Sequence, residues 1–256
     1  MIRRQMVAAA FGAVASTYEH HAKVQRHAAQ QLATKLAGMA IPDHPLVLEL
    51  GCGSGLLSRY LLQYRPRGRF LLTDASHAMV LAGQRHISDG FADEKLWFAV
   101  MDGERPAVAK GFDLIASGLT WQWFEDPVGS FDRLASLLRP GGWLAISTLG
   151  EETFREWRSA CALAGVPCGA MRYPDRSLWE HNWPLGGHGV LEEEIFLTRH
   201  SSALAFLQSL QAIGADRPMA GHRPVTAGAL RRLLRSYPQQ FIARYHIYYI
   251  LYCKMV

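Results

Sequence analysis

Short apolar runs alternate with amphipathic stretches through the first 150 residues of the chain. Five runs have the length and composition of buried strands: 47–50, 69–74, 96–101, 111–117 and 143–148. Segments between them, such as 56–64 and 131–138, repeat apolar residues at the helical period. This alternation of strand and helix predicts an α/β protein with a doubly wound, mostly parallel sheet.

The two ends of the chain follow other patterns. Residues 8–38 place apolar positions on one face at three- and four-residue steps, so we expect a helical cap before the first strand. After residue 148 the rhythm changes, and a helix followed by a Gly-, Pro- and Trp-rich stretch favours a lid insertion over 152–190. Within a single domain of residues 1–256, we further expect a strand at 192–200, helices at 202–213 and 226–236, and a closing strand at 241–252.

Composition narrows the function classes without selecting one. The 256 residues are 49% hydrophobic and 19% charged, which is ordinary for a globule with a sizeable core. The net charge of +5 is spread along the chain, without the dense basic patches of a nucleic-acid binder. Four cysteines without Cys-x-x-Cys spacing indicate neither a metal cage nor a disulfide framework, and no apolar run could span a bilayer. We expect a cytoplasmic monomer with no metal, membrane or nucleic-acid partner.

A glycine-rich turn joins the first strand to the first crossover helix. Gly51, Gly53 and Gly55 alternate where the chain must reverse and bring backbone N–H groups close to a ligand. The dinucleotide fingerprint places its last glycine one position later, and a P-loop would need Gly-Lys-Ser/Thr. Glu49 adds a negative charge that disfavours a phosphate. The turn therefore favours a cationic ligand, with a ligand-free glycine turn as the alternative.

Acidic residues follow the second and third strands. Asp74 lies nineteen residues past Gly55, near the interval at which nucleotide-binding folds place an acid against ribose hydroxyls. A carboxylate accepts two hydrogen bonds and so matches a vicinal diol, although Asp74 could instead cap the next helix. Met79 offers an apolar surface for an adenine ring. Asp102 offers an acceptor for the adenine amine, and Gly103 allows close approach of the backbone.

Further candidates come from the fourth strand and the cap. Ser117 ends the fourth strand, and Gln122 and Trp123 follow in a loop whose aromatic side chains favour pocket walls. Tyr18 and Gln25 are seven residues apart on the predicted cap helix, so both side chains face the same way. Ligands of such sheets bind at the carboxyl ends of the strands, and all these residues are expected to converge there.

These motifs resemble those of the BioC-type malonyl-[acyl-carrier protein] O-methyltransferases of biotin synthesis, which are class I S-adenosylmethionine-dependent enzymes. The resemblance covers most of the chain and includes Phe11…Tyr18…His21-Ala22…Gln25-Arg26, Gly51-Cys52-Gly53-Ser54-Gly55, Asp74 with Met79, Leu138-Arg139-Pro140-Gly141-Gly142 and Ile213-Gly214-Ala215. It implies a seven-stranded sheet with an antiparallel last strand and a helical lid. It also implies S-adenosylmethionine as donor, S-adenosylhomocysteine as product and malonyl-acyl-carrier protein as acceptor. The lid between 165 and 190, which should touch the acceptor, matches poorly.

The resemblance assigns roles to particular residues. Tyr18 would close and order the catalytic site, and Gln25 would support it or the methionine end of the donor. Gln122 and Trp123 would contact the acceptor. The malonyl carboxylate is already ionised, so no general base is required, but it needs an arginine clamp. We favour Arg223 among the candidates Arg155, Arg172, Arg176 and Arg223.

Two questions about partners stay open. Arg231, Arg232 and Arg235 share one predicted helix and could dock an acidic carrier protein, although such a trio also occurs as a solvated face. The scaffold also suits methylation of a small carboxylate, phenol or quinone precursor. A respiratory-complex assembly factor acting on a protein partner is the third possibility, because such factors end in a Tyr-x-Ile-Tyr-Tyr segment like residues 245–249.

Overall fold

The computed structural model describes residues 3–88, 95–219, 221–237 and 239–255, in which seven strands form one sheet in the order β3-β2-β1-β4-β5-β7-β6. The strands are β1 (Leu46–Leu50), β2 (Arg69–Asp74), β3 (Leu96–Val100), β4 (Phe112–Gly118), β5 (Leu138–Leu149), β6 (Gly187–His200) and β7 (Phe241–Lys254). Strands β1 to β5 pair in parallel, and β7 is antiparallel to both β5 and β6. The predicted α/β class, the mostly parallel sheet and the antiparallel last strand are confirmed.

Helices cover both faces of the sheet. They are α1 (Arg3–Ala13), α2 (Tyr18–His21), α3 (Lys23–Ala37), α4 (Leu56–Tyr64), α5 (His77–Ser88), α6 (Pro127–Leu137), α7 (Arg155–Leu163), α8 (Arg176–Glu180), α9 (Ala203–Ala212) and α10 (Ala227–Arg235). Successive residues of the central strands enter different cores: Val47 and Leu114 pack in one, Leu48 and Ile115 in the other. Because side chains alternate along a strand, both faces are buried, which explains why these strands read as continuous apolar runs.

The last strand lies inside the sheet, between β5 and β6. Its central residues are buried and pair with β5 as far as Leu149, which lies opposite Ile247. The first residue of β7, Phe241, pairs with His200 at the end of β6, several residues beyond that point. The connection between β6 and β7 therefore leaves the sheet at the carboxyl edge of the parallel strands.

The predicted cap is broken into three helices. Residues 8–38 were expected to be helical, but α1 begins at Arg3 and ends at Ala13, and a second break falls at Ala22. Ala22 is fully buried, with φ −80° and ψ 49°, and its N–H donates to the carbonyl of Tyr18. The apolar repeat continues through the break at Ala22, because the residues on both sides of it bury the same face although the backbone changes direction there.

The segment predicted as a lid, 152–190, packs beside the sheet only as far as residue 186, because residues 187–190 already belong to β6. Its helix α7 places Trp157 against Phe206 of α9, with ring centroids 6.0 Å apart. Trp179 of α8 is almost fully buried and belongs to the same core cluster as Trp121 and Phe131. Among the described helices, none has both the length and the apolar character required to cross a membrane.

Candidate active site

A cavity of about 640 Å³ lies at the carboxyl ends of β1, β2 and β4, beneath α1 to α3. This size is within the range of small-molecule sites. Ten of the residues predicted from the sequence line it: Tyr18, Gln25, Glu49, Gly51, Gly53, Asp74, Met79, Asp102, Gly103 and Trp123. The structure thus brings together residues that are more than 100 positions apart in the chain.

The three glycines of the turn after β1 meet different constraints. All three have positive φ: 67° at Gly51, 53° at Gly53 and 90° at Gly55. A Cβ on Gly51 would fall 2.2 Å from Oγ1 of Thr120, and a Cβ on Gly55 would fall 2.8 Å from Cδ1 of Ile87. A Cβ on Gly53 would meet nothing within 4 Å, because this residue faces the cavity. Gly55 immediately precedes α4 and lies against Ile87 of α5, so it allows the two helices to pack closely but does not line the cavity.

The Asp74 carboxylate is held in place by two backbone groups. Its Oδ2 accepts a hydrogen bond from the N–H of Gly53 at 3.0 Å, and its Oδ1 accepts one from the N–H of Ser76 at 2.8 Å. The Oγ of Ser76, not Asp74, accepts from the N–H of Met79 in the first turn of α5. Burial raises the pKa of Asp74, while these two N–H groups oppose the shift. Each carboxylate oxygen keeps a free lone pair, so Asp74 can still accept from a diol in the cavity.

Glu49 is the most unusual ionisable group of the cavity. Its side chain is buried, and its Oε2 has no hydrogen-bond partner among the described residues. Burial raises the pKa of Glu49 to about 8; the nearby Ser58 hydroxyl opposes this shift, and the Asp74 carboxylate adds to it. An unpaired buried carboxylate is costly unless a ligand completes it. A cationic group in the cavity would supply that missing partner.

Aromatic rings form the wall on the cap side. Phe11 lies between Tyr18 and Trp123, with edge-on ring contacts at centroid distances of 6.1 Å and 5.5 Å. Burial, followed by the charges of Asp74 and Glu19, raises the pKa of Tyr18 far above its ordinary value. The phenol therefore stays protonated and can donate a hydrogen bond, but it cannot act as a base near neutral pH.

An ion pair links the cap to the far side of the cavity. Arg4 of α1 pairs with Asp102, and its guanidinium is also 4.0 Å from Glu104 and 3.9 Å from Glu125. Asp102, predicted to accept from an adenine amine, thus already has a cationic partner at Oδ2. Its Oδ1 accepts from the N–H of Glu104 at 3.0 Å. Arg4 is the one lysine or arginine among the described residues that line the cavity.

The cavity wall on the cap side begins at Arg4, before residue 8, where the apolar pattern predicts the cap to start. The cavity-lining residues of α1 are Arg4, Gln5, Val7, Ala8 and Phe11. Their three- and four-residue spacing was the available signal. Thr120 and Phe124, which also line the cavity, flank a 3₁₀ turn (Trp121–Trp123) for which periodicity gives no guide.

Besides Gly55, three predicted ligand residues lie outside the cavity lining. Ser117 is buried under it, where its hydroxyl donates to the carbonyl of Leu50 at 3.0 Å, and Gly118 lines the cavity instead. The Gln122 amide donates to the carbonyl of Leu119 and accepts from the Thr148 hydroxyl. Arg223 is exposed on the connection between α9 and α10.

None of the residues 152–190 lines the cavity either, so the wall that covers it here is N-terminal. The Trp121–Trp123 pair, expected to form pocket walls, divides: Trp121 is buried in the core and Trp123 lines the cavity.

The arrangement suits a ligand with a cationic end, a vicinal diol and an apolar ring. Glu49 offers a carboxyl group that a cation would ionise and pair, Asp74 offers oriented acceptors, and Met79, Val100 and Met101 offer apolar surface. Because these groups converge within one enclosed volume, the ligand would be held along its length.

Comparison with known proteins finds a matching methyltransferase family model and similar full-length proteins. A family model described as a methyltransferase domain matches residues 48–144. The malonyl-[acyl-carrier protein] O-methyltransferase of Magnetococcus marinus is 44% identical over 243 residues, which is 94% of this chain and 89% of that protein. The biotin biosynthesis bifunctional protein BioCD of Bordetella avium is 39% identical over 91% of this chain and 49% of its own length.

A solved structure shares the fold at low sequence identity. The plantazolicin methyltransferase BpumL, solved in complex with S-adenosylhomocysteine, superposes with a TM-score of 0.55 and 16% identity. The match covers all of this chain and 96% of that one.

Proposed function

This chain belongs to the malonyl-[acyl-carrier protein] O-methyltransferase family, and we propose that it methylates the free carboxylate of a malonyl thioester carried by acyl-carrier protein. The donor is S-adenosylmethionine and the product is the malonyl methyl ester. The 44% identity to a malonyl-[acyl-carrier protein] O-methyltransferase over nearly the whole of both chains supports the acceptor. The observation that supports the donor is the buried Glu49 carboxylate, which lines the cavity and whose Oε2 has no hydrogen-bond partner among the described residues.

The residues of the cavity fit S-adenosylmethionine. We assign the ammonium of its methionine end to Glu49, the ribose diol to Asp74, and the adenine ring to the surface of Met79, Val100 and Met101. When bound, the sulfonium of this donor supplies an electrophilic methyl group. The chain's own contribution is to hold the charged and apolar parts of the donor at fixed positions.

Methylation of a carboxylate requires the protein to position the acceptor but not to activate it. A carboxylate with a pKa of about 4 is ionised at neutral pH and is already a nucleophile. A base is therefore unnecessary, in agreement with the raised pKa of Tyr18, which keeps that phenol protonated. Holding two reactants in line can lower a barrier by about 7–11 kcal/mol. We assign to Tyr18 and Trp123 the task of keeping water out and ordering the carboxylate at the wall they share with Phe11.

The product has a chemical consequence in biotin synthesis. Methylation removes the negative charge of the malonyl group, so the ester can enter apolar pockets that would exclude a carboxylate. We propose that the ester primes the synthesis of the pimeloyl precursor. This proposal is supported by the similarity to the biotin biosynthesis bifunctional protein of Bordetella avium.

Transfer of a labelled methyl group tests the proposal directly. The purified chain is incubated with labelled S-adenosylmethionine and malonyl-acyl-carrier protein, malonyl-coenzyme A or free malonate. We expect base-labile label on the carrier protein and a much lower kcat/KM on the two smaller acceptors. Preference for a small acid would instead favour the small-acceptor alternative. Donor binding without transfer to any acceptor would favour the assembly-factor alternative.

The expectations of a monomer and of a cytoplasmic location stay predictions. Light scattering of the purified protein checks the first. Fractionation of producing cells checks the second.

A further inference from the structure

The connection between β6 and β7 carries an excess of unpaired positive charge. Residues 201–237 contain five arginines, and Asp216 is the one acidic residue there. All five arginines are exposed, and none forms an ion pair with another described residue: Arg217, Arg223, Arg231, Arg232 and Arg235. Elsewhere, Arg4, Arg59, Arg139 and Arg244 are each paired with a carboxylate, whereas Arg67 and Arg69 are exposed and form no ion pair with a described residue. The feature of residues 201–237 is that five such arginines cluster in one segment with a single acidic residue. We call these five arginines the basic surface.

The helix α10 fixes three members of the basic surface. Its apolar side packs on the core through Leu230, Leu233 and Leu234, and Thr226 caps its first turn by accepting from the N–H of Ala229 at 3.3 Å. Arg231, Arg232 and Arg235 are at helical positions that point away from this contact. The three guanidinium groups are therefore held on an anchored helix instead of a loose loop.

The basic surface belongs to the same edge of the sheet as the cavity. Its segment leaves β6 at His200 and enters β7 at Phe241, beyond the carboxyl end of β5. The turn after α9 touches the cap: a Cβ on Gly214 would fall 2.8 Å from the carbonyl oxygen of Ala10. The next residue of that helix, Phe11, lines the cavity.

We propose that the basic surface docks the acidic face of the acyl-carrier protein, so that the acyl arm reaches the cavity past the cap. This inference rests on the proposed function for the identity of the carrier protein. Complementary charge steers association and sets orientation, and its effect falls as salt screens it. The dipole of α10 accounts for cations in its last turn, Arg232 and Arg235, but not for Arg217 or Arg223.

Charge reversal on α10 tests the docking. The triple variant Arg231→Glu, Arg232→Glu, Arg235→Glu is compared with the neutral triple Arg231→Gln, Arg232→Gln, Arg235→Gln. The matched control is Arg67→Glu with Arg69→Glu, two exposed arginines at the amino end of β2 on the opposite edge of the sheet. Thermal melting and S-adenosylhomocysteine affinity verify that each variant is folded with an intact cavity.

The readouts separate docking from chemistry. The first is the Kd for fluorescently labelled holo-acyl-carrier protein without a malonyl group, at two salt concentrations. We expect at least about a tenfold rise in Kd for the glutamate triple, a smaller rise for the glutamine triple, and a weaker salt dependence for both. The second is methyl transfer, in which KM for malonyl-carrier protein should rise while kcat/KM for malonyl-pantetheine stays unchanged.

Several outcomes overturn the docking proposal. An unchanged Kd in the folded glutamate triple would do so, as would an equal loss in the Arg67/Arg69 control or an equal loss on malonyl-pantetheine. Binding of the holo-carrier protein does not depend on methyl transfer. A wild-type chain that binds the carrier through α10 but methylates no malonyl group would therefore refute the proposed function while leaving the docking surface supported.

Discussion

Arg4, in the first turn of α1, forms an ion pair with Asp102, which follows β3 on the other side of the cavity. Both side chains are partly exposed, so the pair adds only about 0–1 kcal/mol to global stability. Its effect should be local, because it joins the cap to the sheet. We expect Arg4→Ala to increase hydrogen exchange in α1 and to speed S-adenosylhomocysteine dissociation several-fold, with little change in Tm.

A matched variant distinguishes this closing role from general loss of an ion pair. Arg176 pairs with Glu180 at 2.6 Å and with Glu193 at 3.5 Å, is similarly exposed and does not line the cavity. Arg176→Ala should leave α1 exchange and ligand dissociation unchanged. Equal effects of the two substitutions would show that Arg4 does not hold the cap.

Substitution of Glu49 should have opposite effects on the stability of the ligand-free chain and on its affinity for the donor. Its ordinary pKa of 4.5 is raised by burial to about 8 in the folded chain. The folded state therefore binds a proton more tightly than the unfolded state, and this contribution to stability is present below pH 4.5 and lost as the pH rises to about 8. We expect ligand-free Glu49→Gln to gain stability over the wild type through this window, reaching a few kcal/mol at pH 9, since each pKa unit is about 1.4 kcal/mol.

The same substitution should impair the donor site. Losing a charged hydrogen-bond partner costs about 1.5–3 kcal/mol, so we expect S-adenosylmethionine affinity to fall about 10- to 150-fold at pH 7. Thermal melts from pH 4 to 9 and calorimetry measure the two effects. Parallel stability curves for the variant and the wild type would contradict the raised pKa.

The sequence predicted which residues after β1 and β2 line the cavity, because backbone geometry fixes their positions. A buried strand that ends in a glycine turn admits few conformations, and Asp74 follows from the length of the next helix and strand. Prediction failed where a shift of one residue along a strand decides which residue lines the cavity. Ser117 was chosen at the end of β4, yet it bonds to the Leu50 carbonyl and Gly118 faces the cavity instead.

The N-terminal wall of the cavity could not be predicted from local sequence patterns. Arg4 and Asp102 are 98 residues apart, and only the folded cap brings them together. The break at Ala22 likewise leaves the apolar period intact, so periodicity alone predicts one helix where the structure has two. Both features depend on tertiary packing.

Asp74 should be essential for donor affinity. Its carboxylate orients the N–H groups of Gly53 and Ser76, so Asp74→Ala removes the diol acceptor and leaves two donors unpaired. We expect S-adenosylhomocysteine affinity to fall at least about 100-fold, with Asp74→Asn intermediate because it keeps one oxygen. A 3′-deoxyribose analogue of the ligand provides the control. It should bind the wild type weakly and lose little more in Asp74→Ala, whereas a full further loss would place the diol elsewhere.

Substitution of Tyr18 can distinguish a role in ordering the acceptor from a role as a catalytic base. Burial keeps its phenol protonated, and Tyr18 lines the cavity, so its hydroxyl can donate a hydrogen bond there. We expect Tyr18→Phe to retain its fold and donor affinity while kcat falls about tenfold, because one hydrogen bond to a charged acceptor is lost. The pH–rate profiles of the variant and the wild type should run parallel from pH 6 to 9. Tyr18→Ala should lose more, since the ring also packs against Phe11. Tyr60→Phe, a half-buried tyrosine on α4 outside the cavity lining, serves as the matched control and should be silent. A change in the shape of the profile in Tyr18→Phe would instead assign Tyr18 a proton-transfer role.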